Sequence, residues 1–547
     1  MNADEADAVF VETLTKALQE RAHGSSENYA LVLKEFGRKD APDATLAQWL
    51  RALKVCSSLL DKKLEPLVGL TLKIDWTRKD DAFVLVYMDY LVEIVSTKPI
   101  YVGPCVDSLV ALFARSDEKD DEEKANIVFG HVHEAIQSIL TVVPRAVSHI
   151  PAAVTKRFPF RTKNAAVHDC YLKNVLLLAD YVSGVLLPIL ECVFYKMIEM
   201  DAELPRETEE TQFDVELSGS KDEKEVLLEN VDVMMSRLLA YCKNRCCPGD
   251  AEEFLEKAAC EFFEILLEVF MNCLLKIHGS CHVQFVIFYT CSLSEKLFAA
   301  YLERVWAKVE SLHSSIIERQ SAAMYIGSFI ARAVYLPMPY VKEMMSYMVA
   351  WLHRYIEHHD RSSNIAASSH GPFYAVSQAV FCAFIFCHQC IIDMDDSGLA
   401  YLQSLNLARI VQCRLNPLKF CASTVVDMFA LISRRYQLAF CYTVIEHNQR
   451  LAALSLVKET EDTKTLYTFK HFFPYDVYNL PKSGQIVRPL QRDFPALQHD
   501  VDHHEEENMV CSVESNKSHS WPEKDERYSL LSTSNHSSHL SPGIEII

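Results

Sequence analysis

FYAVSQAVFCAFIFCHQCII, residues 373–392, decides how the chain folds: it carries no charged residue and is long enough to cross a bilayer. Ser377, Gln378, His388 and Gln389 interrupt its apolar run. Such groups are costly against lipid and ordinary in a protein interior that supplies their partners. The stretch is therefore read as a buried core helix, with no membrane contact expected.

Helical periodicity extends outward from it in both directions. Leu227, Val231, Met234, Leu238 and Tyr241 step by four and three, which aligns them on one face of a helix. Phe298, Leu302, Val305, Val309 and Leu312 form a second stripe, and Val341, Met345, Met348, Leu352 and Tyr355 a third. Proline-bearing breaks fall between such segments, at Pro99–Pro104, Pro144–Pro159, Pro248, Pro337–Pro339, Pro372 and Pro417. Sustained alternation of the kind that marks strands is scarce. Only 14 of the 547 residues are glycine, well under the average of about 7%. Phosphate-binding loops and β-hairpins use that residue heavily.

The fold class predicted is all-α: a HEAT-repeat-like α-solenoid superhelix, with acidic loop insertions and a disordered C-terminal tail. Stacked helix pairs bury each repeat against its neighbours and so suit a long chain without a sheet. The expected division is 1–198, N-terminal helical repeats; 199–225, an acidic mobile insertion; 226–491, C-terminal helical repeats; and 492–547, a tail rich in serine, histidine and acid.

The formal charge of −20 is concentrated. Residues 115–124 hold six acids and three bases, 199–225 eleven and three, and 492–547 eleven and four. These segments sum to −18 (−3, −8 and −7), so the remaining body is nearly neutral. Residues 135–168 invert the trend: Arg145, Lys156, Arg157, Arg161 and Lys163 stand there without one acid. That basic patch suits an acidic partner or nucleic acid, and equally a positive face that balances the protein's own acidic loops. Net acidity weighs against strong non-specific DNA binding.

The motifs of chemistry are missing. The eighteen cysteines sit mostly in apolar runs, and MNADEADAVF lacks the basic-then-apolar order of a signal peptide. A reducing intracellular setting is expected. Cys387 and Cys390 have metal-ligand spacing without a second pair nearby, so buried thiols are preferred over zinc. His353, Glu357, His358 and His359 lack the HExxH pattern, and Asp500, Asp502, His503 and His504 read as a solvated run. Neither a dinucleotide fingerprint, a P-loop nor a nucleophile elbow is present. An enzyme is not expected, nor any cofactor.

Six strings carry a resemblance: SCHVQFVIFYTCS (280–292), ERQSAAMYIGSFIARA (318–333), HGPFYAVSQAVFCAFIF (370–386), YLQSLNLARIVQCRLNPLKFC (401–421), YQLAFCYTVIEHN (436–448) and FFPYD (472–476). RFPFRTK (157–163) and CYLKNVL (170–176) extend it upstream. Over residues 45–480 their order and spacing resemble the RNA polymerase I-specific transcription initiation factor family, also called transcription initiation factor IA. The resemblance implies a HEAT-repeat superhelix without catalytic activity. It implies binding to RNA polymerase I through the polymerase stalk subunits, which keeps the enzyme initiation-competent and bridges it to the promoter-bound selectivity factor at ribosomal RNA genes. Control by regulatory kinases, a possible homodimer and a nuclear, chiefly nucleolar location follow from the same source. A serine-bearing surface in the N-terminal half is implied as the docking site, with Ser108, Ser116, Ser138 and Ser148 as its candidates here. Ordinary exposed or capping roles compete for each of them.

The tail departs from the family pattern. Ser541, before Pro542, is its remaining candidate for phosphorylation, and the basic run after FFPYD is thinned to Lys482 and Arg488. Nuclear import would then use 156–163 or a partner. A different class, a general HEAT-type transport or assembly scaffold without a promoter role, is the alternative.

Overall fold

The computed structural model describes residues 3–38, 41–114, 122–204, 221–247, 253–359, 367–394, 396–454, 471–476 and 478–495. Helices follow one another along the whole of this length, and the β-pairing among the described residues is one isolated bridge between Ala333 and Gln491. Near neighbours in sequence pack side by side: Asp43–Val55 on Asp81–Thr97, Val102–Ala111 on Ile150–Arg157, Ala165–Tyr181 on Lys221–Cys246. Further on, Glu295–Glu310 packs on Ile316–Arg332, and that helix on Gly371–Met394. This is the solenoid pattern predicted, and a single apolar core runs through it from Leu14 to Val487.

The decisive stretch forms the helix Gly371–Met394, and 78% of its most apolar window is buried inside the fold. Its polar groups find partners in the protein. The Ser377 hydroxyl donates to the Phe373 carbonyl at 2.8 Å, and the Gln378 Oε1 accepts the Ala422 amide at 2.7 Å. A Cβ on Gly327 would stand 2.5 Å from Ala379, so glycine lets Ile316–Arg332 approach this helix closely. The apolar stripes face the core as expected, with one exception. Leu312 is 84% exposed, because Glu295–Glu310 ends at an extended Ser311 and Leu312 lies beyond the helix.

Two expected boundaries move. Residues 199–201 belong to the helix Leu186–Asp201, and 221–225 open Lys221–Cys246, so the acidic interval given as 199–225 is framed by helix at both edges. The reason at the first edge is Asp201, which is 1% exposed and accepts from Ser280 Oγ at 2.6 Å, from the Cys281 and His282 amides at 2.8 Å, and from His282 Nδ1 at 2.6 Å. The acids at 207–216 and the tail beyond 495 lie outside the described residues.

The second boundary concerns 471–495, of which 471–491 is expected to end the helical repeats and 492–495 to open the tail. It is a strap made of turns, the one-turn helix Gly484–Val487 and a 3₁₀ turn, Arg488–Leu490. Tyr475 and Tyr478 are fully buried, and the Tyr475 ring packs among Phe285, Phe288, Tyr325 and Phe329 with its hydroxyl 3.0 Å from that of Tyr301. Asp232 accepts the Lys482 amide at 2.7 Å, the Ser483 amide at 2.8 Å and the Ser483 hydroxyl at 2.5 Å. Arg332, 3% exposed, donates to Asp476 at 2.5 Å, and Arg492 donates to the Ile330 and Ala331 carbonyls at 3.0 Å. Tail residues 492–495 thus continue the strap.

Candidate functional site

The candidate residues of the N-terminal half lie on elements that pack together. The helix Val102–Ala111 carries Asp107 and Ser108 and packs on both the 3₁₀ segment Pro144–His149 and the helix Ile150–Arg157. Fit is close there: a Cβ on Gly103 would stand 3.3 Å from His149 Nδ1. The helix Glu122–Val142, which bears Ser138, packs on the same 3₁₀ segment. Proline stands at the head of Pro144–His149 and again in the first turn of Ile150–Arg157, positions where an amide would have no intrahelical partner.

The serines differ in what they present. Ser108 is half-buried, and its hydroxyl donates to the Leu72 carbonyl at 2.9 Å. Ser138 is also half-buried. Ser148 is exposed, with its hydroxyl 2.9 Å from the Arg145 carbonyl. Ser116 and Ser541 lie outside the described residues.

All five basic residues are exposed, but three are engaged inside the chain. Asp107 takes a bidentate pair from Arg157 and a third contact from Lys156 Nζ at 3.0 Å. The Arg157 hydrogen bonds hold the Asp107 carboxyl below its ordinary range, ahead of the opposing effect of partial burial. Arg161 pairs with Glu203, two residues beyond the Leu186–Asp201 helix. Arg145 and Lys163 form no ion pair among the described residues. Of the two meanings weighed for this stretch, internal balance accounts for Lys156, Arg157 and Arg161, and an outward charge remains at Arg145 and Lys163.

Between the last turn of Ile150–Arg157 and the helix Ala165–Tyr181, residues 158–164 form a short turn. Phe158 packs edge-on against Tyr171 with ring centroids 5.3 Å apart, while Phe160 is 66% exposed. The Lys163 amide donates to the Phe160 carbonyl at 2.8 Å. Asn164 caps the next helix by accepting the Val167 amide at 3.1 Å. From below, the buried Asn230 donates its Nδ2 to the Arg161 and Lys163 carbonyls, both at 2.9 Å. Asp107, Glu203 and Asn230 were not singled out by the sequence. The acids belong to distant segments, and a lone Asn inside an apolar stripe was the one signal available.

Elsewhere the chemistry is that of a scaffold. Seventeen described cysteines are free thiols, and burial pushes Cys105, Cys242 and Cys246 up to about 12. Cys387 is buried and Cys390 exposed, so the pair does not converge. His353 Nε2 lies 3.0 Å from the Leu405 carbonyl, Glu357 pairs with Arg409, and His359 stacks on Tyr355. No group of three or more metal-ligating side chains forms among the described residues.

The model of the family "RNA polymerase I specific transcription initiation factor RRN3" matches residues 3–226 and 208–498. The chain belongs to this family. The mouse factor RRN3, an RNA polymerase I-specific transcription initiation factor, is 29% identical over 530 residues, which cover 88% of this chain and 80% of the mouse protein. The fission yeast (Schizosaccharomyces pombe) factor is 25% identical, covering 90% and 88% respectively. A crystal structure of the RNA polymerase I transcription initiation factor Rrn3 superposes with a TM-score of 0.71 at 20% identity, over 89% of this chain and 98% of that one, which supports the fold. The resemblance read from the six strings is thereby upheld, and membership of an initiation-factor family implies a nuclear role. Four of those strings (280–292, 318–333, 370–386 and 472–476) meet in space around the strap: Tyr475 touches Phe285, Phe288 and Phe329, Arg492 reaches Ile330, and Phe386 packs edge-on against Phe494.

Proposed function

We propose that this chain binds RNA polymerase I through the surface formed by Val102–Ala111, Pro144–His149, Ile150–Arg157 and the following turn. Bound there, it keeps the enzyme initiation-competent and bridges it to the promoter-bound selectivity factor at ribosomal RNA genes. Family membership supports the polymerase as partner. The observation that carries the choice of surface is the outward charge of Arg145 beside an exposed Ser148, in a chain of net charge −20. A solenoid presents a long face, so a second partner can sit at the other end at the same time. The stalk subunits, the nucleolus as site of action and a homodimer through the C-terminal half belong to the same proposal, as does the division into N-terminal and C-terminal helical repeats on either side of an acidic insertion.

Regulation follows from electrostatics. A phosphate adds about −1.5 to −2 charge. On Ser148 it would cancel the neighbouring Arg145, and on Ser116 it would join the acids at 117–123. The Ser116→Glu/Ser148→Glu variant should lose capture of purified RNA polymerase I while its thermal transition stays in place. Capture at wild-type strength would defeat the assignment.

A further inference from the structure

We propose that the turn 158–163 is a preformed docking knob for an acidic segment of the polymerase, with Phe160 as its apolar anchor and Arg161 and Lys163 as its cationic rim. This deepens the function proposed above and rests on it.

Three features of the turn lead there. The first is a division of labour between adjacent aromatics. Phe158 is spent on the core against Tyr171, whereas Phe160, two residues on, stands 66% exposed. The second is rigidity supplied from outside the turn. Arg157 is tied to Asp107 on one helix, Arg161 to Glu203 at the end of another, and the Arg161 and Lys163 carbonyls to Asn230 on a third. Asn230 is fully buried, and among the described residues its Oδ1 has no hydrogen-bond partner, so a core position is given to a polar group that serves an exposed turn. A segment held in one shape has little conformational freedom left to lose on binding. The third is charge. The turn itself carries Arg161 and Lys163 and no acid, in a protein of −20.

The same features choose between protein and nucleic acid. Binding to a phosphate backbone releases counterions in proportion to the cations that engage it. Here three of the five cations in 145–163 are already committed to the chain's own carboxylates, and the exposed tip of the turn is a phenyl ring. A buried aromatic anchor inside a charged rim is the anatomy of a protein interface. The complement is a segment with Asp or Glu flanking an apolar contact.

The test uses the full chain with p-benzoylphenylalanine in place of Phe160, mixed with purified RNA polymerase I and irradiated. A cross-link to an Asp/Glu-rich stretch of a polymerase subunit is expected. In parallel, Phe160→Ala and Lys163→Glu should each weaken polymerase capture about tenfold. If the wild-type chain captures no polymerase, the function proposed above fails. If it does, and the variants capture equally well, or the cross-link falls on nucleic acid or on no acidic segment, the docking knob is overturned. Both variants alter exposed side chains, so a folded protein is expected in each case.

Discussion

Two segments outside the stacked helix pairs, the turn 158–163 and the strap 471–495, are held by nearby residues of one helix, Lys221–Cys246. Asn230 binds two carbonyls of the turn, and Asp232 binds two amides and a hydroxyl of the strap. The means of attachment are alike; what the segments do with their aromatic side chains is opposite. Phe160 faces solvent at the tip of the turn, whereas Tyr475 and Tyr478 are fully buried under the strap. Hydrogen bonds from a buried polar group therefore do not mark a functional site. They mark a segment whose position matters, and the exposure of its tip tells whether it matters for stability or for binding.

The largest expected effect lies on the strap side. Asp232→Ala removes the acceptor from three groups, and Ser483 is fully buried with nothing else to take its amide. Each stranded donor costs about 1–3 kcal/mol, and partial relaxation should leave a loss of about 3 kcal/mol. Chemical denaturation should show it, together with faster proteolysis within 471–495. Phe160→Ala on the turn should change stability by less than about 0.5 kcal/mol. Equal losses in the two variants would break the distinction.

Acid sharpens the comparison at an intermediate level. Asp201 and Asp107 are the carboxylates that fasten the two regions' surroundings. Burial alone would raise Asp201, yet the hydrogen bond and charge of His282, with Ser280 and backbone amides, more than offset it, and the net shift is downward. A carboxyl lowered in the folded state stabilises fully above its unfolded value of about 3.9 and loses that contribution as pH falls through the folded value. Wild-type stability should therefore drop on going from about pH 5 to about pH 3, and Asp201→Asn should be less stable at neutral pH and flatter in this range. Strong salt should leave Asp201 unaffected while weakening the more exposed pairs of Asp107 with Lys156. An undiminished acid slope in Asp201→Asn would assign the sensitivity to other groups.

The body of the solenoid was legible because it obeys short-range periodicity: Leu227 through Tyr241 and Val341 through Leu352 lie where a 3.6-residue repeat puts them. Gln378 inside the uncharged stretch was a correct clue that the helix is a core element, since only a protein interior offers its Oε1 the Ala422 amide. The strap has no periodicity of its own. It is positioned by contacts such as Asp232 with Ser483 that join residues about 250 positions apart, and it entered the sequence reading only as part of a resemblance. The basic stretch was half legible. Its composition gave the sign of the charge, but which cations are left over depends on Asp107 and Glu203, brought in by other helices.

The smallest expected effect concerns the serines, where exposure again separates positions that composition treats alike. Ser108 donates to the Leu72 carbonyl from a half-buried site, so Ser108→Glu must break that bond and force a charge toward a packed helix face. A loss of about 1–2 kcal/mol is expected. Ser148 bonds only the Arg145 carbonyl three residues back, from an exposed 3₁₀ segment, so Ser148→Glu should leave stability within about 0.5 kcal/mol of wild type. Thermal melts of the two single variants, set beside polymerase capture, separate a docking role from a packing role. If Ser148→Glu weakens capture at an unchanged melting temperature, the exposed serine belongs with Phe160 on the binding side. If only Ser108→Glu weakens capture, and in step with its lost stability, the serine surface belongs with the strap, as structure rather than contact.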